Sequence, residues 1–144
     1  MFTKILVASD GSGPAMNAAK AAAKIAKAMS ASVTVVTVSY VPKAYAGDIS
    51  PAMRQGYVDE WHHVLDLTVN AVKRLDVEPE ARLLRGDEPA PAILRELESG
   101  GYDLLVVGRT GAGGRKMKNA GLAMMGGVSM KIVGNAECAV LLVH

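Results

Sequence analysis

The sequence predicts an α/β fold with a five-stranded parallel β-sheet and helices on both faces. Four of the five predicted strands contain continuous apolar runs, at residues 4–8, 32–39, 103–108 and 138–143. Unbroken apolar runs are typical of strands that are covered on both faces, whereas half-exposed strands alternate apolar and polar residues. Helical segments separate the strands, and this alternation favours parallel pairing through right-handed crossovers.

The chain begins with a strand, a helix and a second strand. The strand at residues 4–8 (KILVA) is followed by an alanine-rich helix over residues 15–29, for which Ser12 or Gly13 is the expected N-cap. Because alanine is small, this composition predicts close packing of the helix against the sheet. Residues 32–39 (SVTVVTVS) are rich in β-branched side chains and predict the second strand.

The middle of the chain predicts a loop, a long helix and a weaker strand. Residues 40–50 have no period and form the predicted loop, and Ser50 followed by Pro51 is typical of a helix start. Apolar residues then recur at three- and four-residue spacings, which predicts an amphipathic helix of about six turns. Residues 77–84 form the weaker strand, and Pro79 inside it favours an edge position.

A third helix and a fourth strand follow. Asp87 is the expected N-cap of a helix over residues 90–97, which Gly100 and Gly101 close. The strand at residues 103–108 comes next, and it leads directly into a glycine-rich loop.

Residues 106–129 contain seven of the fifteen glycines of the chain. Glycine is favoured where the backbone needs a positive φ or must come close to a ligand, and successive backbone N–H groups bind anions. The Gly126-Gly127 pair opens a predicted short helix, whose first turn also has free donors. We therefore expect a phosphate here, and the alternative is a surface loop without a ligand. Three basic residues lie in the same loop: Arg115, Lys116 and Lys118.

Composition excludes several classes of protein. The net charge is only +2 and aromatic residues are 4% of the chain, so we expect no nucleic-acid partner. The single cysteine, Cys138, excludes an internal disulfide and is most simply a small buried hydrophobe. His62 and His63 are adjacent and point to different helix faces, so no metal site is predicted. The first apolar run is too short for a signal or membrane segment, so we expect no membrane association and a cytoplasmic location.

Several segments together resemble the universal stress protein family. They are ILVASDGS near the start, VTVVTV, the turn GDEP, DLLVVG before the glycine loop, and AECAVLLV at the end. The resemblance covers nearly all of residues 1–144 and implies one Rossmann-like domain with strand order 3-2-1-4-5. Members that bind ATP have G-x2-G-x9-G-[ST] after the fourth strand, and ATP with accompanying Mg²⁺ is the implied cofactor.

The glycine motif departs from the family pattern in its second half. Gly108 and Gly111 match the first half, and Gly126 with Gly127 is the best counterpart of the second half. The 14 residues between Gly111 and Gly126 exceed the motif's spacing, and Gly127 lies where the family has Ser or Thr. We interpret residues 112–125 as a lengthened loop, and Ser129 as a source of the missing hydroxyl.

The resemblance also implies a set of nucleotide-contacting residues at the strand ends. Asp10 would accept hydrogen bonds from ribose hydroxyls, and the alternative is an ordinary Asp-Gly turn. Val38 would offer backbone groups and an apolar wall to adenine, and the alternative is core packing. The full set is Ala8, Asp10, Val38, Val107, Gly108, Gly111, Gly126, Gly127, Val128 and Ser129.

Three functions are compatible with these residues. The first is a regulatory module of the stress response in which bound ATP shifts a conformation or an assembly. The second is a slow ATPase, but no general base, paired nucleophile or Mg²⁺-binding acidic pair is evident beyond Asp10, so we expect no efficient enzyme. The third is a member that has lost nucleotide binding and acts through protein–protein interaction, which the lengthened loop and Gly127 favour.

The final strand, Cys138 to Val143, predicts a homodimer. In the order 3-2-1-4-5 this strand is an edge, and it has no charge or proline to prevent pairing with another chain. Alternate side chains are apolar on both faces. Two-fold antiparallel pairing with a second copy satisfies the free backbone groups and closes the assembly. The alternative is that the lengthened loop covers this edge and leaves a monomer.

Overall fold

The computed structural model describes residues 1–110 and 127–144 and has the predicted architecture. A five-stranded sheet has the order β3-β2-β1-β4-β5, with every neighbouring pair parallel. The strand order and the α/β class are therefore confirmed. The elements in chain order are β1 Lys4–Ala8, α1 Gly13–Met29, β2 Ser32–Ser39, α2 Pro51–Lys73, β3 Glu80–Arg85, α3 Pro89–Gly100, β4 Leu104–Gly108, α4 Gly127–Asn135 and β5 Ala139–Val143.

Each face of the sheet carries its own core cluster, which explains the unbroken apolar runs. On one face, Ile5 and Val7 of β1 pack with the alanines of α1 and with Leu65 and Val72 of α2. On the other face, Leu6 of β1 packs with α3 and α4 side chains that include Ile93 and Ile132. We call these the first and second core clusters. Because both faces of β1 are covered, apolar residues follow one another without a polar break.

Helix α1 lies close to the sheet because its inner face is made of alanine. Ser12 is the N-cap, and its hydroxyl accepts a hydrogen bond from Ala15 N at 3.3 Å. The helix ends at Ser30, which has the left-handed conformation common at helix C-termini. Six alanines are buried on the inner face: Ala15, Ala18, Ala19, Ala22, Ala23 and Ala26.

Two predicted boundaries were wrong by a few residues, and proline explains both. Strand β3 begins at Glu80 instead of residue 77, because Pro79 has no N–H for the pairing with β2. The N-cap of α3 is Glu88, not Asp87, since Pro89 occupies the first helical position and the residue before it has the extended cap conformation. The edge position of β3 and the closing role of Gly101 are confirmed.

Strand β5 is the other edge of the sheet, as predicted. Its side chains alternate between the two faces: Val143 packs against the first core cluster, and Val140 and Leu142 pack against the second. Leu141 is 36% exposed. Within residues 1–110 and 127–144, no helix is long and apolar enough to cross a membrane.

The close packing of α1 predicts different effects for two alanine substitutions in the same helix. Ala22→Leu forces extra methylene groups into the first core cluster, where Ala22 is 0% exposed, and we expect a loss of roughly 1–3 kcal/mol of unfolding free energy. Ala28→Leu is the matched control, because Ala28 is exposed on α1. Urea denaturation measures both, and equal midpoints for the two variants would contradict this packing.

Candidate functional site

The carboxyl ends of β1 and β4 form the point at which the strand order reverses. Strand β1 pairs with β2 on one side and β4 on the other, so Ala8 lies beside both Val36 and Val107. The chain leaves β1 towards α1 on one face and leaves β4 towards α4, which lies on the other. Such a reversal opens a crevice beyond the strand ends, where ligands of doubly wound sheets bind.

Three of the predicted site residues have side chains that belong to the core. Ala8 is 8% exposed, and Val38 and Val107 are 5% and 4% exposed. All three pack in the second core cluster. Their side chains therefore shape the floor below the crevice, and direct contact with a ligand is limited to their backbone groups.

Asp10 lies in a tight turn between β1 and α1. Its Oδ1 accepts a hydrogen bond from Ser12 N at 2.9 Å, and Ser9 Oγ accepts one from Gly11 N at 3.2 Å. Gly11 has a φ of 81°, a backbone conformation that residues other than glycine rarely adopt. These contacts fix the Asp10 carboxylate at the mouth of the crevice, so both interpretations of Asp10, turn former and ligand contact, are compatible with its position.

Gly108 brings the end of β4 into contact with the start of α1. A Cβ atom at this position would lie 2.9 Å from Ala15 N and 2.9 Å from the carbonyl carbon of Pro14. Carbon atoms do not approach backbone atoms this closely without movement of one segment. The glycine is therefore required by the fold itself, apart from any requirement of a ligand.

Ser129 fastens the first turn of α4 to the end of β4. Its side chain is 4% exposed, and its Oγ donates a hydrogen bond to Gly108 O at 2.7 Å. Gly127 and Val128 precede it and are exposed. The N-terminus of α4, with its backbone donors, thus lies next to the end of β4. The structure brings Gly108 and Ser129 together with the Asp10 turn around one crevice.

Two of the predicted site residues, Gly111 and Gly126, lie outside the described residues. The same is true of the basic residues of the loop, Arg115, Lys116 and Lys118. Their predicted contacts with phosphate remain predictions.

Tyr40 is a site residue that the sequence did not single out. Its ring stacks on Trp61 with a centroid separation of 5.0 Å, and Trp61 Nε1 donates a hydrogen bond to Tyr40 O at 2.9 Å. Burial raises the pKa of the Tyr40 phenol above its usual value, and the negative charge of Asp10 raises it further. The phenol therefore lies within electrostatic range of Asp10. The available signal was its position directly after β2, as Asp10 follows β1.

A chain of charges links the loop at residues 40–50, the residue before α3, and α4. Glu88 Oε1 lies 2.7 Å from Lys43 Nζ, and its Oε2 lies 3.7 Å from Lys131 Nζ. The hydrogen bond from Lys43 lowers the pKa of Glu88, and the charge of Lys131 lowers it further. The carboxylate is therefore ionised well below neutral pH and holds both lysines near the start of α3.

The described residues contain no group of three or more His, Cys, Asp or Glu side chains placed to hold a metal ion. His62 pairs with Asp66 at 3.4 Å on the exposed face of α2. Cys138 is half-buried just before β5, and burial raises the pKa of its thiol.

Fold and site together define a doubly wound α/β domain with a crevice at the reversal of strand order. The sequence profile of the universal stress protein family matches residues 1–144. The chain therefore belongs to the universal stress protein family, as its sequence motifs indicated. It is 32% identical over 158 residues to universal stress protein YxiE of Bacillus subtilis, and 33% identical over 144 residues to a universal stress protein of Thermus aquaticus; both alignments span the full length of each chain.

Solved structures share the fold. A universal stress protein in complex with cAMP has a TM-score of 0.73 and 21% identity, covering 99% of this chain and 97% of that one. The Archaeoglobus fulgidus protein in complex with dAMP has a TM-score of 0.73 and 20% identity, covering 99% and 98%. An Arabidopsis thaliana family protein with AMP bound has a TM-score of 0.66 and 23% identity, covering 98% and 90%. At this level of sequence identity, the similarity to these structures shows a shared fold and nothing more.

The contact at Gly108 predicts that two glycine substitutions have opposite effects. Gly108→Ala drives a Cβ into the start of α1, and we expect it to lower the unfolding free energy by about 1–3 kcal/mol. Gly134→Ala is the control, because nothing lies within 4 Å of a Cβ there and alanine favours the helical conformation. Thermal denaturation followed by circular dichroism compares them. A melting temperature for Gly108→Ala equal to or above that of Gly134→Ala contradicts the contact.

Proposed function

We propose that this protein is an adenine-nucleotide-binding regulatory module of the stress response. The observation that carries the proposal is the convergence of the Asp10 turn, the end of β4 and the N-terminus of α4 on one crevice. The bound cAMP, dAMP and AMP of the three structural relatives support the same ligand class. ATP, with accompanying Mg²⁺, is the member of that class proposed here.

Asp10 is the proposed ribose contact. One carboxylate oxygen accepts the Ser12 amide hydrogen, which orients the group without removing its negative charge. Hydrogen bonds from hydroxyl groups to a carboxylate are stronger than those to a neutral acceptor. The 2′- and 3′-hydroxyls of a ribose are two such donors, and they would meet a carboxylate that the turn has already positioned.

The N-terminus of α4 is the proposed phosphate contact. Backbone N–H groups in the first turn of a helix lack intrahelical partners and carry partial positive charge. Among the described residues, nothing beyond its chain neighbours and its own helix backbone lies within 4 Å of a Cβ built at Gly127, which leaves space for a ligand on that side. The Ser129 hydroxyl donates a hydrogen bond to Gly108 O, and we propose that this bond holds the start of α4 beside β4. The hydroxyl oxygen can still accept a hydrogen bond.

The adenine is proposed to lie against the end of β2. Val38 contributes its backbone there, because its side chain is in the second core cluster. The backbone groups of β2 would supply selectivity for adenine.

We expect ATP to stabilise the protein through Asp10. At about 100 times its dissociation constant a ligand contributes about 2.7 kcal/mol, which raises the melting temperature of a domain of this size by roughly 10 °C. Asp10→Asn keeps an acceptor for Ser12 N and removes the charge, so it should weaken binding about ten-fold. Asp59→Asn, on the exposed face of α2, is the control and should bind as the native protein does.

A thermal-shift screen with ATP, ADP and AMP in Mg²⁺, followed by calorimetry, measures these affinities. The absence of both heat and thermal shift at millimolar ATP contradicts the proposal. That result would favour the alternative in which the lengthened loop of residues 112–125 and Gly127 mark a member that acts through protein–protein interaction.

We also propose that ATP turnover is negligible. Two observations support this proposal: the described residues contain no group of three or more His, Cys, Asp or Glu side chains placed to hold a metal ion, and the sequence offers no evident general base beyond Asp10. Phosphate release by the purified protein with MgATP should therefore stay below about one per minute. Faster release that Asp10→Asn abolishes in a folded protein contradicts this expectation.

A homodimer through β5 completes the proposal. Arg109 N donates to Val143 O at 2.7 Å, so the backbone groups of Val143 face β4. Because backbone groups alternate along a strand, Leu141 also faces β4, and Val140 and Leu142 present theirs to the open edge. These outward groups lie between apolar side chains, including the exposed Leu141. Antiparallel pairing with a second β5 would satisfy them.

Val140→Pro should convert the dimer to a monomer. It removes an outward N–H while keeping an apolar ring of similar volume, and proline is tolerated on edge strands. Light scattering during gel filtration should give about twice 15.0 kDa for the native protein and 15.0 kDa for the variant. Leu141→Pro is the contrast, because it removes a donor to β4 and should lower stability. A native mass of 15.0 kDa at tens of micromolar contradicts the dimer.

A further inference from the structure

An open cavity of about 740 Å³ lies at the carboxyl ends of β2 and β3, beside the proposed nucleotide site. Its walls come from the ends of both strands, the loop at residues 40–50, the first two turns of α2 and the turn before α3. None of the predicted site residues that the structure describes lines it. Its volume is in the range of pockets that hold small organic molecules.

The charges that line this cavity are unbalanced. Lys43, Arg54 and Arg85 line it, and Asp87 is the only carboxylate among its described lining residues. No ion pair among the described residues uses Arg54 or Arg85. Residues 111–126 contain no Asp or Glu, so they offer no carboxylate partner either. Lys43 differs, because Glu88 outside the cavity pairs with it at 2.7 Å.

Two guanidinium groups in one concave surface favour an anion. Each has a planar set of donors that matches a carboxylate, sulfonate or phosphate group, and arginine is more weakly hydrated than lysine. Arg54 projects from the first turn of α2 and Arg85 from the end of β3. The two arginines therefore reach the cavity lining from different elements.

Part of the remaining wall is aromatic and apolar, beside the polar residues Ser39 and Gln55. Tyr40 and Tyr57 line the cavity with Val41, Pro51 and Val58. Tyr40 is held by its stack on Trp61, so its ring is presented at low entropic cost. A bare inorganic anion would leave most of this surface and volume unused. The occupant that fits is an anion attached to an aromatic or apolar body.

We propose that this cavity is a second ligand site, separate from the nucleotide crevice, for a small organic anion. Its anionic group binds Arg54 and Arg85, and its body lies against Tyr40 and Tyr57. The site lies beyond the proposed function and does not depend on it. Tyr40 borders both sites, since its phenol is within range of Asp10 and its ring lines the cavity.

Fluorescence titration with 8-anilinonaphthalene-1-sulfonate tests the site, because this probe combines a sulfonate with an aromatic body. We expect saturable binding to the native protein and roughly ten-fold weaker binding to the double variant Arg54→Gln/Arg85→Gln. The matched control is Arg74→Gln/Lys24→Gln, which removes the same charge from exposed positions at the C-cap of α2 and on α1 and should leave the affinity unchanged. Circular dichroism verifies that each variant is folded.

A neutral probe of the same shape, N-phenyl-1-naphthylamine, separates charge from apolar contact. Its affinity should not change in the Arg54→Gln/Arg85→Gln variant. Ala46→Trp, which fills the cavity without changing charge, should weaken the binding of both probes. Equal sulfonate affinity in the native protein and the double arginine variant overturns the proposal, as does the absence of saturable binding.

Saturating MgATP distinguishes this proposal from the proposed function. Sulfonate binding that persists in ATP, and that still depends on the two arginines, supports a separate site. Displacement of the probe at the same ATP concentration that produces the thermal shift would show one shared site and overturn the proposal. If ATP does not bind and the arginine dependence is intact, the proposed function fails and the second site stands.

Discussion

The contact of Gly108 with the first turn of α1 is the constraint on which the rest of the structure depends. With no Cβ at this position, the end of β4 lies against Pro14 and Ala15, and the alanine face of α1 can lie close above β1 and β4. The carbonyl oxygen of Gly108 also accepts a hydrogen bond from the Ser129 hydroxyl. One residue thus joins a helix from each face of the sheet at the point where the strand order reverses.

That arrangement links packing to function. Helices α1 and α4 both begin beside β4, and Ala8, Val38 and Val107 are buried below the crevice. A ligand entering it would meet backbone groups and the fixed Asp10 carboxylate in place of mobile side chains. Few groups would then need to be ordered on binding, which favours a domain that holds a small ligand as a signal.

The sequence predicted most of the fold because strands that are buried on both faces are apolar at successive positions. The predicted strands at residues 4–8 and 32–39 have the same bounds in the structure. Strand order is different, since no local pattern encodes which strands are neighbours, and it came from the family resemblance. The boundary errors at β3 and α3 arise because proline restricts the residues beside it. A secondary-structure propensity averaged over a segment misses this local effect and places the start of the element wrongly.

The site was less accessible to sequence reasoning. The sequence singled out the Asp10 turn and Gly108 as candidate contacts, which stay predictions, and it did not show that Gly108 is also in close contact with α1. Tyr40, Arg54 and Arg85 were missed because each lies near the end of an element, where periodicity carries no information. Only the folded structure shows that Tyr40 after β2, Arg54 on α2 and Arg85 at the end of β3 line one cavity.

The most direct test of the account is a titration of the ¹⁵N-labelled protein with MgATP, followed by amide chemical shifts. A crevice built around Gly108 predicts that the largest changes occur at the Asp10–Ser12 turn, at Arg109 and in the first turn of α4, at residues 127–129. Amides of the exposed face of α2 should not move. Shifts confined to residues outside the ends of β1, β2 and β4, or no shifts at millimolar ATP, would contradict it.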